Sequence, residues 1–167
     1  WFITVFADGH QPAVDPTNPD IVYSEWQEGN LVRYDRPTGE IVYIQPQPEA
    51  NEEADRWNWD APILISPHDP ARLYYASHRV WRSDDRGDSW ELVRGLWDHP
   101  DRKEWMGGGA DWPGIHSLAV HPTDGDRLTV GVSCGGIWVT EDGGATWRTA
   151  DLTGFPELLF VNEIFQS

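Results

Sequence analysis

Ser83-Asp84-Asp85-Arg86-Gly87-Asp88-Ser89-Trp90 and Thr140-Glu141-Asp142-Gly143-Gly144-Ala145-Thr146-Trp147 are two copies of one octapeptide, Ser/Thr-x-Asp-x-Gly-x-Ser/Thr-Trp, 57 residues apart (140 minus 83). A motif repeated at this spacing marks a repeat architecture and outranks local propensities. Its residue types suit a tight hairpin. Asp85 and Asp142 can accept backbone N–H groups across the turn, Gly87 and Gly144 can take positive φ, and the Ser83 and Thr140 hydroxyls can cap the loop. Trp90 and Trp147 then re-enter a strand and bury aromatic surface between sheets. The octapeptide therefore reads as a structural device, not as a catalytic or metal-binding one.

A second repeat lies upstream. Ala13-Val14-Asp15-Pro16, Leu64-Ile65-Ser66-Pro67 and Ala119-Val120-His121-Pro122 each open a segment that ends in a further apolar pair or its equivalent, as in Ile21-Val22 and Arg72-Leu73. Apolar pair, proline turn and return describe a strand, a tight connection and a second strand. A third strand follows each copy, at Leu31-Val32-Arg33, Val80-Trp81-Arg82 and Ile137-Trp138-Val139. The first runs into Asp35 and Pro37-Thr38-Gly39, a degenerate form of the octapeptide.

The expected fold is all-β, made of β-propeller blades of four-stranded antiparallel sheets. About three blades are expected, at 1–48, 49–95 and 110–152, with an insertion at 96–109 and the start of a further blade at 158–167. Starts at 13, 64 and 119 give spacings of 51 and 55 (64 minus 13, 119 minus 64), somewhat longer than common propeller repeats of roughly 40 to 50. The excess is expected in loops at 45–59 and 95–114, and long loops in a repeat fold are often functional. Closed propellers have about four to eight blades, so three blades imply open edges that pair with something else, either the rest of a longer protein or another subunit.

Composition narrows the function classes. The chain has 167 residues, 39% hydrophobic, with 11 Trp, enough for a core, and no window resembles a membrane span of roughly 20 apolar residues. Twenty-eight acids against 12 Lys and Arg give a formal charge of -16, which repels a phosphate backbone and argues against nucleic acid. The lone Cys134 reads as a small packed residue rather than a nucleophile. Neither His10 nor His116 sits at zinc-ligand spacing, and no acidic run matches a calcium loop, so no metal or cofactor is expected.

The octapeptide resembles the Asp-box of BNR-repeat β-propellers. Arg56-Trp57-Asn58-Trp59-Asp60-Ala61-Pro62 and Ile65-Ser66-Pro67-His68, with the first octapeptide, resemble a sortilin-like group of bacterial glycosyl hydrolases. Leu96-Trp97-Asp98-His99-Pro100, Asp111-Trp112-Pro113-Gly114-Ile115-His116-Ser117 and Gly131-Val132-Ser133-Cys134-Gly135-Gly136 resemble an exo-sialidase-like group. The resemblance implies a carbohydrate-related function, glycosidase-like or else a non-catalytic binding or assembly module for a glycan or protein. It also implies a secreted or periplasmic location, although no signal peptide is visible. The Phe/Tyr-Arg-Ile-Pro motif of true sialidases is absent, and no residue is assignable to their arginine triad.

Propeller ligands bind where loops converge at the beginnings of the innermost strands. Those loops carry Asp8, Asp60 and Asp111 as candidate catalytic acids. Hydrolysis of a glycosidic bond needs two carboxylates, one as acid and one as base or nucleophile, and three blades could present such a pair across a sugar. His10, Trp57, Trp59, Trp105, Trp112 and His116 are the candidate ligand-binding residues, the indoles as stacking platforms for sugar rings. The bland alternative is that acids near turns cap N–H groups and indoles at blade edges pack.

Overall fold

A computed structural model describes residues 3–8, 11–106 and 113–151. The described chain forms three four-stranded antiparallel sheets. The first is β1 (Ala13–Val14), β2 (Ile21–Trp26), β3 (Asn30–Asp35) and β4 (Ile41–Tyr43). The second is β5 (Ile63–Ile65), β6 (Leu73–Ala76), β7 (Val80–Ser83) and β8 (Glu91–Leu92). The third is β9 (Ile115–His121), β10 (Asp124–Val132), β11 (Gly136–Thr140) and β12 (Arg148–Thr149). In each sheet the strands pair in chain order, the meander of a propeller blade. The expected all-β, three-blade fold is what the chain adopts; the further strand expected at 158–167 lies outside the described residues.

The core lies between sheets. Side chains alternate across a strand, and β6 shows the result: Leu73 and Tyr75 pack with Tyr23, Leu31 and Ile44 of the first sheet, whereas Tyr74 and Ala76 pack with Ile115, Leu128 and Val130 of the third. The middle sheet is thus buried on both faces, which is why 73–76 reads as one unbroken apolar run.

The octapeptides fold as their residues dictate, twice over. Ser83 Oγ accepts from the Gly87 N–H at 2.8 Å, and the Asp85 carboxylate accepts from the Ser89 N–H at 2.8 Å and the Ser83 hydroxyl at 2.8 Å. Thr140 Oγ1 accepts from the Gly144 N–H at 3.1 Å, and Asp142 accepts from the Thr146 N–H at 2.9 Å and the Thr140 hydroxyl at 2.7 Å. Two left-handed residues close each loop, Arg86 and Gly87 (φ 61° and 90°) and Gly143 and Gly144 (φ 69° and 98°). The turn after β3 is built differently: Asp35 accepts from the Thr38 N–H at 2.9 Å, and Gly39 alone is left-handed.

These turns also join the blades. A Cβ on Gly87 would lie 2.6 Å from Ile44 Cδ1, and one on Gly144 would lie 2.4 Å from Val93 Cγ1. Ile44 and Val93 occupy one structural position, just past the outer strand, where their N–H groups donate to Leu31 O and Val80 O. The indole of Trp90 donates to Ile44 O at 2.6 Å, while Trp147 is buried in the second joint and donates to its own Gly144 O at 3.0 Å.

Where a plain loop is expected after β8, two short helical turns occur, α1 (Arg94–Trp97) and a 3-10 turn (Pro100–Glu104). Leu96 anchors them in the joint between the second and third blades, and His99 Nδ1 accepts from the Asp101 N–H at 3.2 Å ahead of Pro100. Pro at a first helical position gives up no bond.

Candidate functional site

The segments that lead into the innermost strands lie at the blade ends opposite the octapeptide turns, since the β6–β7 turn at 77–79 joins them there. Ile115 N–H donates to Ser77 O at 3.1 Å, and His78 N–H donates to Arg56 O at 3.1 Å. At this end Asp8 is exposed and accepts from Gln27 Nε2 at 3.0 Å. Asp60 is half-buried just before β5. Asp111, Trp112 and His10 fall outside the described residues.

One pair of lead-ins is brought together. Asn58 Nδ2 donates to Ile115 O at 2.7 Å and lies 3.4 Å from His116 Nδ1, so the segment carrying Trp59 and Asp60 is fixed to the start of β9. A Cβ on Gly114 would lie 2.4 Å from Asn58 Oδ1, so only glycine admits this contact. Burial lowers the pKa of half-buried His116, leaving it a neutral hydrogen-bonding group at neutral pH.

The indoles divide by exposure. Trp59 is 60% exposed. Trp57 stacks on Tyr75 with centroids 4.7 Å apart and packs into the joint between the first and second blades, while Trp105 packs against Trp138 at 5.7 Å. Of the described candidates, Trp59 has a free face for a sugar.

Behind the lead-ins is a charged cluster with no sequence signature. Asp55 and His78 have side chains 1% exposed and Arg79 2%. Arg79 pairs with Glu52 at 2.8 Å and Asp55 at 3.2 Å, Trp81 Nε1 donates to Asp55 Oδ2 at 2.8 Å, and His78 Nδ1 accepts from the Arg56 N–H at 3.2 Å. The guanidinium carbons of Arg102 and Arg79 lie 3.3 and 4.4 Å from the centre of the Trp97 ring. Burial, then Arg56, Arg79 and Arg102, push the His78 pKa down to about 3. Burial raises the Asp55 carboxyl above its usual range, opposed by Arg79. The His78 imidazole is thus neutral at pH 7, and the ion pairs and hydrogen bonds of the cluster tie residues 52–56 to the β6–β7 turn and the start of β7. Its charged residues read as surface in a sequence, because burial of Asp and Arg depends on partners from distant segments.

A groove of about 630 Å³ lies between β8, residues 47–52 and the second octapeptide turn, lined by Glu52, Trp90, Glu91, Arg94 and Asp142 among others. It runs along the outer strand, on the opposite side of the second blade from the innermost strand and its lead-in.

No family's sequence profile matches the chain. The oligoxyloglucan-reducing end-specific xyloglucanase of Emericella nidulans is 25% identical over 150 residues, covering 85% of this chain and 17% of that protein. Among solved structures, a GH74 xyloglucanase from Xanthomonas campestris is 25% identical with a TM-score of 0.55, over 84% of this chain and 23% of that one. A Niastella koreensis GH74 enzyme is 17% identical with a TM-score of 0.54, over 87% and 21%. The three sheets thus share the β-propeller fold of these glycosidases, and the chain spans about a fifth of the length of these relatives.

Among the described residues no helix is long and apolar enough to cross a membrane.

Proposed function

We propose that the chain is part of a carbohydrate-active propeller that hydrolyses, or contributes to hydrolysing, the glycosidic bonds of a xyloglucan-type polysaccharide. The observation that carries this reading is the 25% identity to a xyloglucanase across most of the chain. Under it the octapeptides are Asp-boxes. The xyloglucan-cleaving branch of the Asp-box propellers is then favoured over the sialidase-like and sortilin-like branches. Asp60, Asp8 and Asp111 are the carboxylates that flank the sugar, one protonating the glycosidic oxygen and another activating water or attacking the anomeric carbon. Trp59 supplies the stacking face, and His116 with Asn58 holds the lead-in.

Release of reducing ends from xyloglucan oligosaccharides tests this reading. Turnover that falls at least about 10²-fold in Asp60→Asn, as loss of a catalytic acid or base implies, with an unchanged melt supports it. Turnover indifferent to Asp60→Asn, Asp8→Asn and Asp111→Asn sinks these assignments.

A second reading, a glycan- or protein-binding module without catalysis, is favoured by the 60% exposure of Trp59. Binding of the oligosaccharide that depends on Trp59, with no products formed, distinguishes it.

A further inference from the structure

β9 does not pair evenly with β10. Ser117 faces Gly131 and Ile115 faces Val132, so two steps along β9 match one along β10, and His116 is left without a partner across the ladder. This is a β-bulge, a device that bends the strand and re-aims the side chain of the extra residue. The innermost strand of the second blade has none: Ile63, Leu64 and Ile65 pair with Tyr75, Tyr74 and Leu73 in unbroken register.

The backbone around the bulge is fixed. Gly114 O accepts from the Ser133 N–H at 2.9 Å, Ile115 N–H donates to Ser77 O at 3.1 Å, and Ile115 O accepts from Asn58 Nδ2 at 2.7 Å. A carbonyl only accepts, so the Asn58 atom facing Ile115 is its NH₂ group. The same nitrogen lies 3.4 Å from His116 Nδ1. An amide NH₂ donates and does not accept, so Nδ1 is the acceptor and the ring proton of the neutral imidazole sits on Nε2. Burial keeps that ring neutral at neutral pH. Asn58 thus occupies one ring nitrogen, and no hydrogen bond to Nε2 occurs among the described residues.

We propose that the bulge makes His116 a ligand-contacting residue, whose Nε2–H, oriented by Asn58, donates to a sugar hydroxyl of a glycan lying beside Trp59. The inference rests on the glycan reading of this site. A neutral sugar fits the chemistry: an uncharged ring offers one directional donor and no charge to pair with an anion. Trp59, next to Asn58 in the chain and 60% exposed, offers the apolar face that a sugar ring also needs.

Two measurements test it. Long-range proton–nitrogen spectra of the chain at neutral pH are expected to show the His116 proton on Nε2. In titration calorimetry with a xyloglucan oligosaccharide, His116→Ala is expected to bind about 3- to 10-fold more weakly, as loss of one neutral hydrogen bond implies. His116→Gln, whose amide N–H can take the place of Nε2–H, is expected to keep most of the affinity. Circular dichroism melts matching the parent show that both variants fold. A proton on Nδ1 overturns the inference whatever the chain binds. Equal binding by the parent and His116→Ala, or a His116→Gln variant as weak as His116→Ala, overturns it and leaves the glycan reading standing. A parent chain that binds no oligosaccharide removes both.

Discussion

Trp57 lies nearly parallel on Tyr75, ring centroids 4.7 Å apart and planes 30° apart, while Trp59, two residues further on, is 60% exposed. One indole holds the first two blades together and the other faces solvent. Stacked aromatic pairs are worth about 0.5–1.5 kcal/mol beyond the area that they bury.

The pair predicts a clean division of effects. Trp57→Ala is expected to destabilise the fold by about 3–5 kcal/mol, as for a large aromatic removed from a core, measured by urea unfolding. Trp59→Ala is expected to leave the midpoint within about 0.5 kcal/mol and to weaken oligosaccharide binding measured by titration calorimetry. Equal destabilisation by both would contradict the assignment.

The second turn predicts an acid response. Hydrogen bonds from Thr146 and Thr140 hold the Asp142 carboxyl down to about 2, below the usual 3.8. Its stabilising contribution is present above pH 3.8 and lost as pH falls towards 2. Thermal melts across that window should drop less steeply in Asp142→Asn, which starts less stable at neutral pH.

His78 predicts a slope at milder pH. With its pKa at about 3 when folded and near 6.5 when unfolded, the unfolded chain takes up the extra proton first as pH falls below 6.5. Stability then declines by up to about 1.4 kcal/mol per pH unit. Urea titrations between about pH 7 and 5 should show this slope in the parent chain and lose most of it in His78→Gln. A slope unchanged in the variant would show that other groups set it.

Two glycines offer a matched comparison. Gly87→Ala drives a Cβ into Ile44 at a left-handed position, whereas Gly39, also left-handed at φ 74°, has open space around it among the described residues. Gly39→Ala is expected to lose about 1 kcal/mol from backbone strain alone, and Gly87→Ala about 1–3 kcal/mol more from overpacking, both read from denaturant midpoints.

The sequence by itself determined the blades. Period-two apolar pairs, the Ser/Thr–Asp–Gly turns and their spacing act over a few residues, so strands and hairpins follow from local chemistry, and even the degenerate turn at Asp35 was legible as such. It also located the lead-in loops that hold Asp8, Trp59 and Asp60. What only the tertiary structure decided depends on contacts between blades. Trp57 and Trp59 look alike in sequence, and only the position of Tyr75 in the next strands separates packing residue from exposed face. Asp55 and Arg79 read as solvated charges until residues 52–56 fold over the β6–β7 turn and bury them together. The two joints themselves became visible only when the sheets packed, because burial belongs to pairs of surfaces and a single strand carries only one of them.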